Sequence, residues 1–180
     1  MPPEDLLADT AVIGIDCSAR STGVVYLTAS GMSATTLIVP KKLREGARLG
    51  RIYAELKAFI DTGAARVPLV AGVIEDPSFN STNRPFTIGE VHGVVKLLLD
   101  QYGIPLYGAA PKTLKKYGTG KGTADKAGMI EAALSYGCSS DQNDVCDAWL
   151  LAMMGLDKVL LRATPGTRAA HEALKKLSLK

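Results

Sequence analysis

The sequence has no long hydrophobic run, few cysteines and almost no excess of charge of either sign. No apolar stretch approaches the roughly 18 residues that a membrane-spanning helix needs. The first ten residues, MPPEDLLADT, lack the basic and apolar regions of a secretion signal. The three cysteines leave an odd thiol and lack the spacing of metal ligands, which is typical of proteins in a reducing compartment. We therefore expect a cytoplasmic protein with no membrane partner.

What is present fits one globular domain. At 180 residues the chain is long enough to bury a real core, and its 47% hydrophobic and 22% charged residues are ordinary for a soluble protein. The net charge of +3 is too small to indicate nucleic-acid binding by itself, so the positions of the basic residues matter more. We expect one folded domain over residues 1–160 and a basic tail or short helix over 161–180.

Short β-branched apolar runs and longer amphipathic segments alternate along the chain. The runs predict strands at 11–17, 22–28, 34–39, 68–75 and 104–109. Helical periodicity predicts helices at 44–61, 84–101, 124–136 and 141–160, with a short helix beginning at Pro111. The expected fold class is α/β, with a five-stranded mixed sheet made of a three-strand meander and two parallel strands. This order of elements fits the RNase H-like fold.

Four acidic residues, called the four acids below, occupy positions that this fold would bring together. Asp16 and Glu75 each end an apolar strand, and Asp144 and Asp147 lie one turn apart on one helical face. The carboxyl ends of parallel strands share an edge of the sheet, where the active sites of α/β proteins collect. Converging carboxylates repel one another unless divalent cations compensate them, and Mg²⁺ prefers such oxygen ligands. The four acids therefore predict a two-metal site that cleaves phosphodiesters.

Taken singly, these acids have simpler interpretations. Asp16 could cap a neighbouring loop, and Asp144 could cap the N-terminus of its helix. The combination of two strand-end acids with a helical pair favours the metal site over both.

Basic residues concentrate in one glycine-rich block. Within fifteen residues the chain carries Lys112, Lys115, Lys116, Lys121 and Lys126. The loop in this block precedes a predicted helix, so lysines and backbone N–H groups could hold phosphates together. For a generic chain, a solvated helix face beside a flexible loop is the simpler interpretation.

Four segments, in order, resemble the motifs of the RuvC-type Holliday junction resolvases. They are GIDCSARSTGVV, IEDPSFNSTNRPFTIGEVHGVV, APKTLKKYGTGKGTADK and DQNDVCDAWLLAMMG, and together they span about residues 11–155. The resemblance implies that the four acids hold two Mg²⁺ ions in each active site, with Mn²⁺ as a substitute. It also implies that Lys115 and Lys126 contact the DNA phosphate and take part in catalysis.

The resemblance further implies what the protein does. It would resolve four-way DNA junctions as a homodimer, by paired symmetric nicks that leave 5′-phosphates, in recombination, repair or phage genome processing. Phe79 would stack on an unpaired base at the junction centre, with a small hydrophobic cluster as the alternative. Phosphate contacts would come from the lysine block and from Arg20 and Arg84.

The chain departs from the bacterial members of this family at several places, including a shorter loop before Gly89. Cys17 and Ser18 replace the usual Pro-Gly pair, and Phe79 lies one residue further from Glu75. His92 stands where bacterial members tend to have Arg. These departures predict a divergent phage or viral member, which would act in the host cytoplasm.

Other functions stay open at this point. The same chemistry would serve a broader branched-DNA or flap endonuclease, or an enzyme that cuts structured RNA. A non-catalytic junction-binding dimer is a further alternative, although acids at a phosphate-binding surface would then only add repulsion. An actin-like sugar kinase is excluded because 180 residues are too few for its two domains. A proofreading exonuclease is disfavoured because Ser18 stands in place of its second acid.

Overall fold

The computed structural model describes residues 10–18, 21–31, 33–39, 43–77 and 85–180. The elements are β1 (Ala11–Cys17), β2 (Thr22–Thr28), β3 (Ser33–Ile38), α1 (Glu45–Ala64), β4 (Leu69–Glu75), α2 (Pro85–Gln101), β5 (Leu106–Ala109), α3 (Pro111–Thr119), α4 (Lys126–Ser135), α5 (Asn143–Val159), α6 (Arg168–Leu174) and β6 (Ser178–Leu179). Each predicted strand and helix up to α5 is present, with small shifts at its ends.

The strands form one mixed sheet in the order β3-β2-β1-β4-β5-β6. β1, β2 and β3 make an antiparallel meander, while β4 is parallel to both β1 and β5. A positive φ of 87° at Gly31 allows the turn between β2 and β3.

The α/β fold and the mixed sheet are confirmed, but the prediction of five strands is wrong. The sheet has six strands among the described residues, because β6 pairs antiparallel with β5. The backbone N–H of Lys180 continues this pairing by donating to the carbonyl oxygen of Leu106 at 2.9 Å. A strand of two residues is too short to show the alternation from which strands are predicted.

Two hydrophobic layers cover the two faces of the sheet. Helix α5 packs on one face against valines of β1, β2 and β4. On the other face, α1 and α2 pack against side chains that include Ile15 and Ile74. Because successive residues of a strand point to opposite faces, Asp16 and Glu75 point toward the face that α5 covers.

Helix α5 lies directly on the backbone of β1 and β2. A Cβ atom at Gly14 would overlap the backbone of Ala148 and Ala152, and one at Gly23 would overlap the backbone oxygen of Asp144. Glycine in a strand interior often marks such a close backbone approach. This approach brings the first turn of α5 to the end of β1.

A buried carboxylate holds the other end of α5. Asp157 is 1% exposed and accepts hydrogen bonds from the Tyr117 hydroxyl at 2.7 Å and the Thr164 hydroxyl at 2.6 Å. Arg162 Nε pairs with the same carboxylate at 3.1 Å. The end of α5, helix α3 and the segment that follows α5 are thereby joined at one point.

The chain after residue 160, expected to be a basic tail or short helix, contains α6 and β6. Helix α6 packs against α3, where Glu172 pairs with Lys116 at 2.6 Å. Strand β6 joins the edge of the sheet. Both elements therefore contact the rest of the fold.

No helix in the described ranges is both long enough and apolar enough to cross a membrane.

Candidate active site

The structure brings the four acids to one end of the sheet. Ile15 pairs with Ile74 across the parallel strands β1 and β4, so the acids that follow each of them are neighbours. Asp144 and Asp147 lie in the first turns of α5, over the ends of β1 and β2. All four of these residues are half-buried.

The charges of these acids act on one another. Burial, followed by the charges of Glu75, Asp147 and Asp144, raises the pKa of Asp16 well above its usual range. Burial and then the charge of Asp147 raise the pKa of Glu75 to about 7. Burial and then the charge of Asp144 raise the pKa of Asp147 to about 6. In these three residues burial is the first cause, and repulsion between neighbouring negative charges adds to it.

Two neutral side chains hold the acids of α5. The Ser21 hydroxyl donates a hydrogen bond to Asp144 Oδ2. Asn143 Nδ2 donates to Asp147 Oδ2 at 3.1 Å. The other oxygen of that residue, Asp147 Oδ1, is buried and has no hydrogen-bond partner within the described part of the chain. A buried carboxylate oxygen without a partner costs free energy unless a cation binds it.

The chemistry of these side chains fits a hard divalent cation. Every candidate ligand is a carboxylate oxygen, as Mg²⁺ and Mn²⁺ prefer, and one of these oxygens is buried and unpaired. Over the described ranges, no three His, Cys, Asp or Glu side chains are grouped tightly enough to hold a metal ion as they stand. The four acids therefore form a loose group of interacting charges and not a closed coordination cage.

Two lysines face the acids. The charge of Lys115 lowers the pKa of Glu75 and of Asp147, opposing burial, and the charge of Lys126 acts in the same direction on Asp16 and Asp147. Both lysines line a cavity of about 140 Å³ together with Glu75 and Asp147. Two of the four acids and two lysines therefore line the same cavity.

Local structure explains where these lysines point. Lys115 lies in α3, which begins with a proline at its first position. Lys126 is the first residue of α4, and the Asp125 carboxylate caps this helix by accepting from the N–H of Gly128 at 2.9 Å. The N-terminus of α4 therefore lies beside the cavity, and Lys126 is exposed there.

The remaining basic residues of the lysine block lie elsewhere. Lys112 and Lys121 are exposed and do not line the cavity. Lys116 is engaged with Glu172 of α6. The predicted DNA contacts Arg20, Phe79 and Arg84 lie outside the described residues.

Sequence reasoning missed Ser21 and Asn143. Asn143 carried one signal, since it precedes Asp147 by four residues on the same helix and such pairs face each other. Ser21 carried none, because nothing in the sequence connects it with Asp144, 123 residues away.

Comparison with known proteins gives relatives over most of the chain. No protein-family model matches the sequence. The crossover junction endodeoxyribonuclease RuvC of Anaeromyxobacter sp. (strain K) is 31% identical over 167 residues, covering 90% of this chain and 88% of that protein. The enzyme of the same name from Chloroflexus aggregans is 31% identical over 148 residues, covering 80% of this chain and 85% of that protein. Neither is named as a phage or viral protein, so a viral origin stays a prediction.

A solved structure agrees with this relationship at the level of the fold. The T. thermophilus RuvC in complex with Holliday junction substrate matches with a TM-score of 0.71 and 19% identity, covering 94% of this chain and 99% of that one. Nucleases of the RuvC family use divalent metal ions, which agrees with the oxygen ligands at this site. The chain belongs to the RuvC family of crossover junction endodeoxyribonucleases, because it is 31% identical to these curated relatives over most of its length.

Proposed function

We propose that this protein resolves four-way DNA (Holliday) junctions as a Mg²⁺-dependent endonuclease. The observation that carries the proposal is the meeting of the four acids with Lys115 and Lys126 at one end of the sheet. It occurs in a chain whose curated relatives are crossover junction endodeoxyribonucleases over nine-tenths of its length. We propose that it acts in the cytoplasm, which is consistent with an enzyme that acts on DNA during recombination or repair.

The four acids are the proposed ligands of two Mg²⁺ ions. Asp16 and Glu75 would bind the ions from the sheet, and Asp144 and Asp147 would bind them from α5. The buried Asp147 Oδ1, which has no hydrogen-bond partner among the described residues, is the oxygen that most needs a cation. When bound, such ions supply activation of a water nucleophile and neutralisation of the leaving 3′ oxygen, so the product keeps its 5′-phosphate. No protein nucleophile is required.

Lys115 and Lys126 are the proposed phosphate-binding catalytic residues. Their amines face the acids across the cavity, so a scissile phosphate bound there would lie between opposite charges. They would offset the negative charge that develops on the phosphate oxygens as the bond breaks. Each amine also lowers the pKa of the acids that it faces and so keeps these carboxylates ionised.

Further DNA contacts are proposed at a distance from the cavity. Lys112 and Lys121 are exposed and free to reach the backbone of a junction arm. Lys116 could join them, because a surface ion pair such as the one with Glu172 contributes only about 0–1 kcal/mol. Phe79 remains the proposed wedge at the junction centre, and Arg20 and Arg84 remain proposed phosphate contacts.

A homodimer suits the two-fold symmetry of the substrate, because resolution needs two matched nicks. The outer face of α2 is our candidate for the contact between the two copies. Phe86 is 86% exposed there and Leu97 is 55% exposed. Between them, a Cβ atom built on Gly89 or Gly93 would meet no described atom within 4 Å, so another backbone could approach closely.

The test is cleavage of a labelled four-way junction with Mg²⁺, beside duplex, flap and structured-RNA controls. We expect paired nicks at symmetric positions that yield ligatable products with 5′-phosphates. Asp16→Asn should abolish cutting and leave junction binding intact, because it removes a proposed metal ligand. Cutting without any divalent metal, or undiminished cutting by this variant, would overturn the proposal.

The same assay separates the alternatives. Equal cutting of flaps or of RNA would indicate a broader nuclease. Tight junction binding with no cutting under any metal would indicate a non-catalytic binding dimer.

A further inference from the structure

The two acids of α5 share one arrangement. In each, Oδ2 accepts a hydrogen bond from an uncharged side chain, Ser21 for Asp144 and Asn143 for Asp147. Asp147 Oδ1, the oxygen not used in this way, is buried and has no partner among the described residues. One oxygen of the carboxylate is therefore fixed while the other stays available.

The lack of charge on these donors matters. A lysine or arginine bonded to the same oxygens would fix them equally well, but its positive charge would repel an incoming cation. A hydroxyl or an amide fixes the direction of the carboxylate and leaves its full charge in place. Outer partners of metal ligands are known to act in this way, and their loss costs about 10- to 100-fold in metal affinity.

Ser21 is itself held in place. Ser18 Oγ donates to the carbonyl oxygen of Ser21 at 2.8 Å and accepts from its N–H at 3.1 Å. The N–H of Ser18 donates to the same carbonyl at 2.9 Å. Since Ser18 follows Asp16 by two residues, these hydrogen bonds connect the end of β1, through Ser21, with Asp144 on α5.

Asn143 is held by its helix. It is the first residue of α5, and Asp147 lies four residues later, where side chains of one helical face meet. Asn143 also lines the cavity that contains Lys115 and Lys126. Its amide therefore reaches Asp147 from the side of the proposed phosphate position.

We propose that Ser21 and Asn143 are positioning residues that set the divalent-metal affinity of the active site by orienting Asp144 and Asp147. The inference rests on the proposed function, because it takes those acids as metal ligands. Neither residue contacts the metal or the substrate in this scheme. Each acts through the carboxylate that it holds.

The experiment measures Mn²⁺ binding directly, by the loss of the free Mn²⁺ electron paramagnetic resonance signal on titration into the DNA-free protein. Ser21→Ala and Asn143→Ala should each weaken Mn²⁺ binding about 10-fold. Ser21→Thr keeps a hydroxyl and should bind within about twofold of the wild type. Gln142→Ala is the matched control, since Gln142 is exposed and makes no capping bond at the start of α5.

Cleavage kinetics provide the second measurement. The Mn²⁺ concentration for half-maximal cutting should rise with the loss of binding, while the rate at saturating Mn²⁺ stays within about threefold of the wild type. A variant that merely loosened the fold would lower the rate at saturating metal and its melting temperature as well. If Asn143→Ala does not fold, Asn143→Ser tests the same bond.

The outcomes distinguish two failures. A wild type that neither binds Mn²⁺ nor cuts junctions would overturn the proposed function itself. A wild type that does both, beside Ser21→Ala and Asn143→Ala variants with unchanged Mn²⁺ binding, would overturn only the positioning role. Equal weakening by Ser21→Thr and Ser21→Ala would also overturn it, because the hydroxyl would then have no part.

Discussion

A Cβ atom on Gly23 would overlap the backbone oxygen of Asp144, so strand β2 and the first turn of α5 touch backbone to backbone. This contact sets how far Asp144 stands from the end of β1. Any side chain at position 23 must push the helix outward, and with it two of the four acids.

Replacing Gly23 with Ala therefore tests how the site is assembled. We expect the free energy of unfolding to fall by about 1–3 kcal/mol, since the new methyl group meets backbone that cannot rotate away. Cutting should fall further than stability alone explains, because Asp144 and Asp147 are displaced. Urea denaturation and junction cleavage are the measurements.

Gly50→Ala is the matched control, because a Cβ there meets no described atom within 4 Å. In the interior of α1 it should stabilise the protein by up to about 1 kcal/mol. Unchanged stability and cutting in the Gly23 variant would contradict the proposed role of this contact.

The raised pKa values predict how stability depends on pH in the absence of metal. Glu75 and Asp147 titrate near 4.5 and 3.8 when unperturbed, but their pKa values in the fold are about 7 and about 6. Between those limits the folded state binds more protons than the unfolded state. The free energy of unfolding should therefore fall as pH rises from about 4 to about 7, by on the order of 2–4 kcal/mol from these two acids. Asp16, whose pKa is also raised, adds to the fall.

Chemical denaturation in EDTA at a series of pH values measures this slope. Mg²⁺ should restore stability more at pH 8 than at pH 5, because it binds the ionised carboxylates. Glu75→Gln combined with Asp147→Asn should reduce the slope and leave the part that comes from Asp16, whereas Asp141→Asn, at an exposed acid just before α5, should leave the whole profile in place. A flat profile for the wild type would contradict the prediction.

Lys115 and Lys126 should matter for the rate of cutting more than for junction binding. Replacing either with Met should lower the cleavage rate about 100-fold, because the charge facing the scissile phosphate is lost. Single-turnover cleavage and a binding assay in Ca²⁺ separate the two effects. Lys116→Met, whose amine is paired with Glu172, should change the rate by less than about threefold. Equal losses at all three positions would mean that only the total positive charge matters.

The Asp157 cluster should be important for stability and unimportant for metal binding. Asp157→Ala would leave the buried Tyr117 hydroxyl without its acceptor and the Thr164 hydroxyl to water, and we expect a loss of about 1–3 kcal/mol. Tyr117→Phe removes only one bond and should cost about 1 kcal/mol. Thermal unfolding beside Mn²⁺ titration is the test, and a large change in Mn²⁺ affinity of a folded variant would contradict it.

The main elements and the four acids could be predicted from the sequence because their signals are local. The strand of residues 11–17 is recognisable from its own β-branched run, and Asp144 with Asp147 from their spacing. The hydrogen bond from Ser21 to Asp144 could not be predicted, because a serine in a loop looks alike whether it faces solvent or an acid. Nor could the pairing of Lys116 with Glu172, since the two are 56 residues apart and only the packing of α6 on α3 joins them.

Strand β6 has a consequence for how copies of this protein can meet. Without it, β5 would be a bare edge strand, and unpaired edge strands invite other chains to extend the sheet and aggregate. The pairing of Tyr107 and Gly108 with the last strand occupies that edge. A segment whose sequence predicts a basic tail therefore covers this edge of the sheet. The exposed surface of α2 is then the better candidate for the contact between two copies.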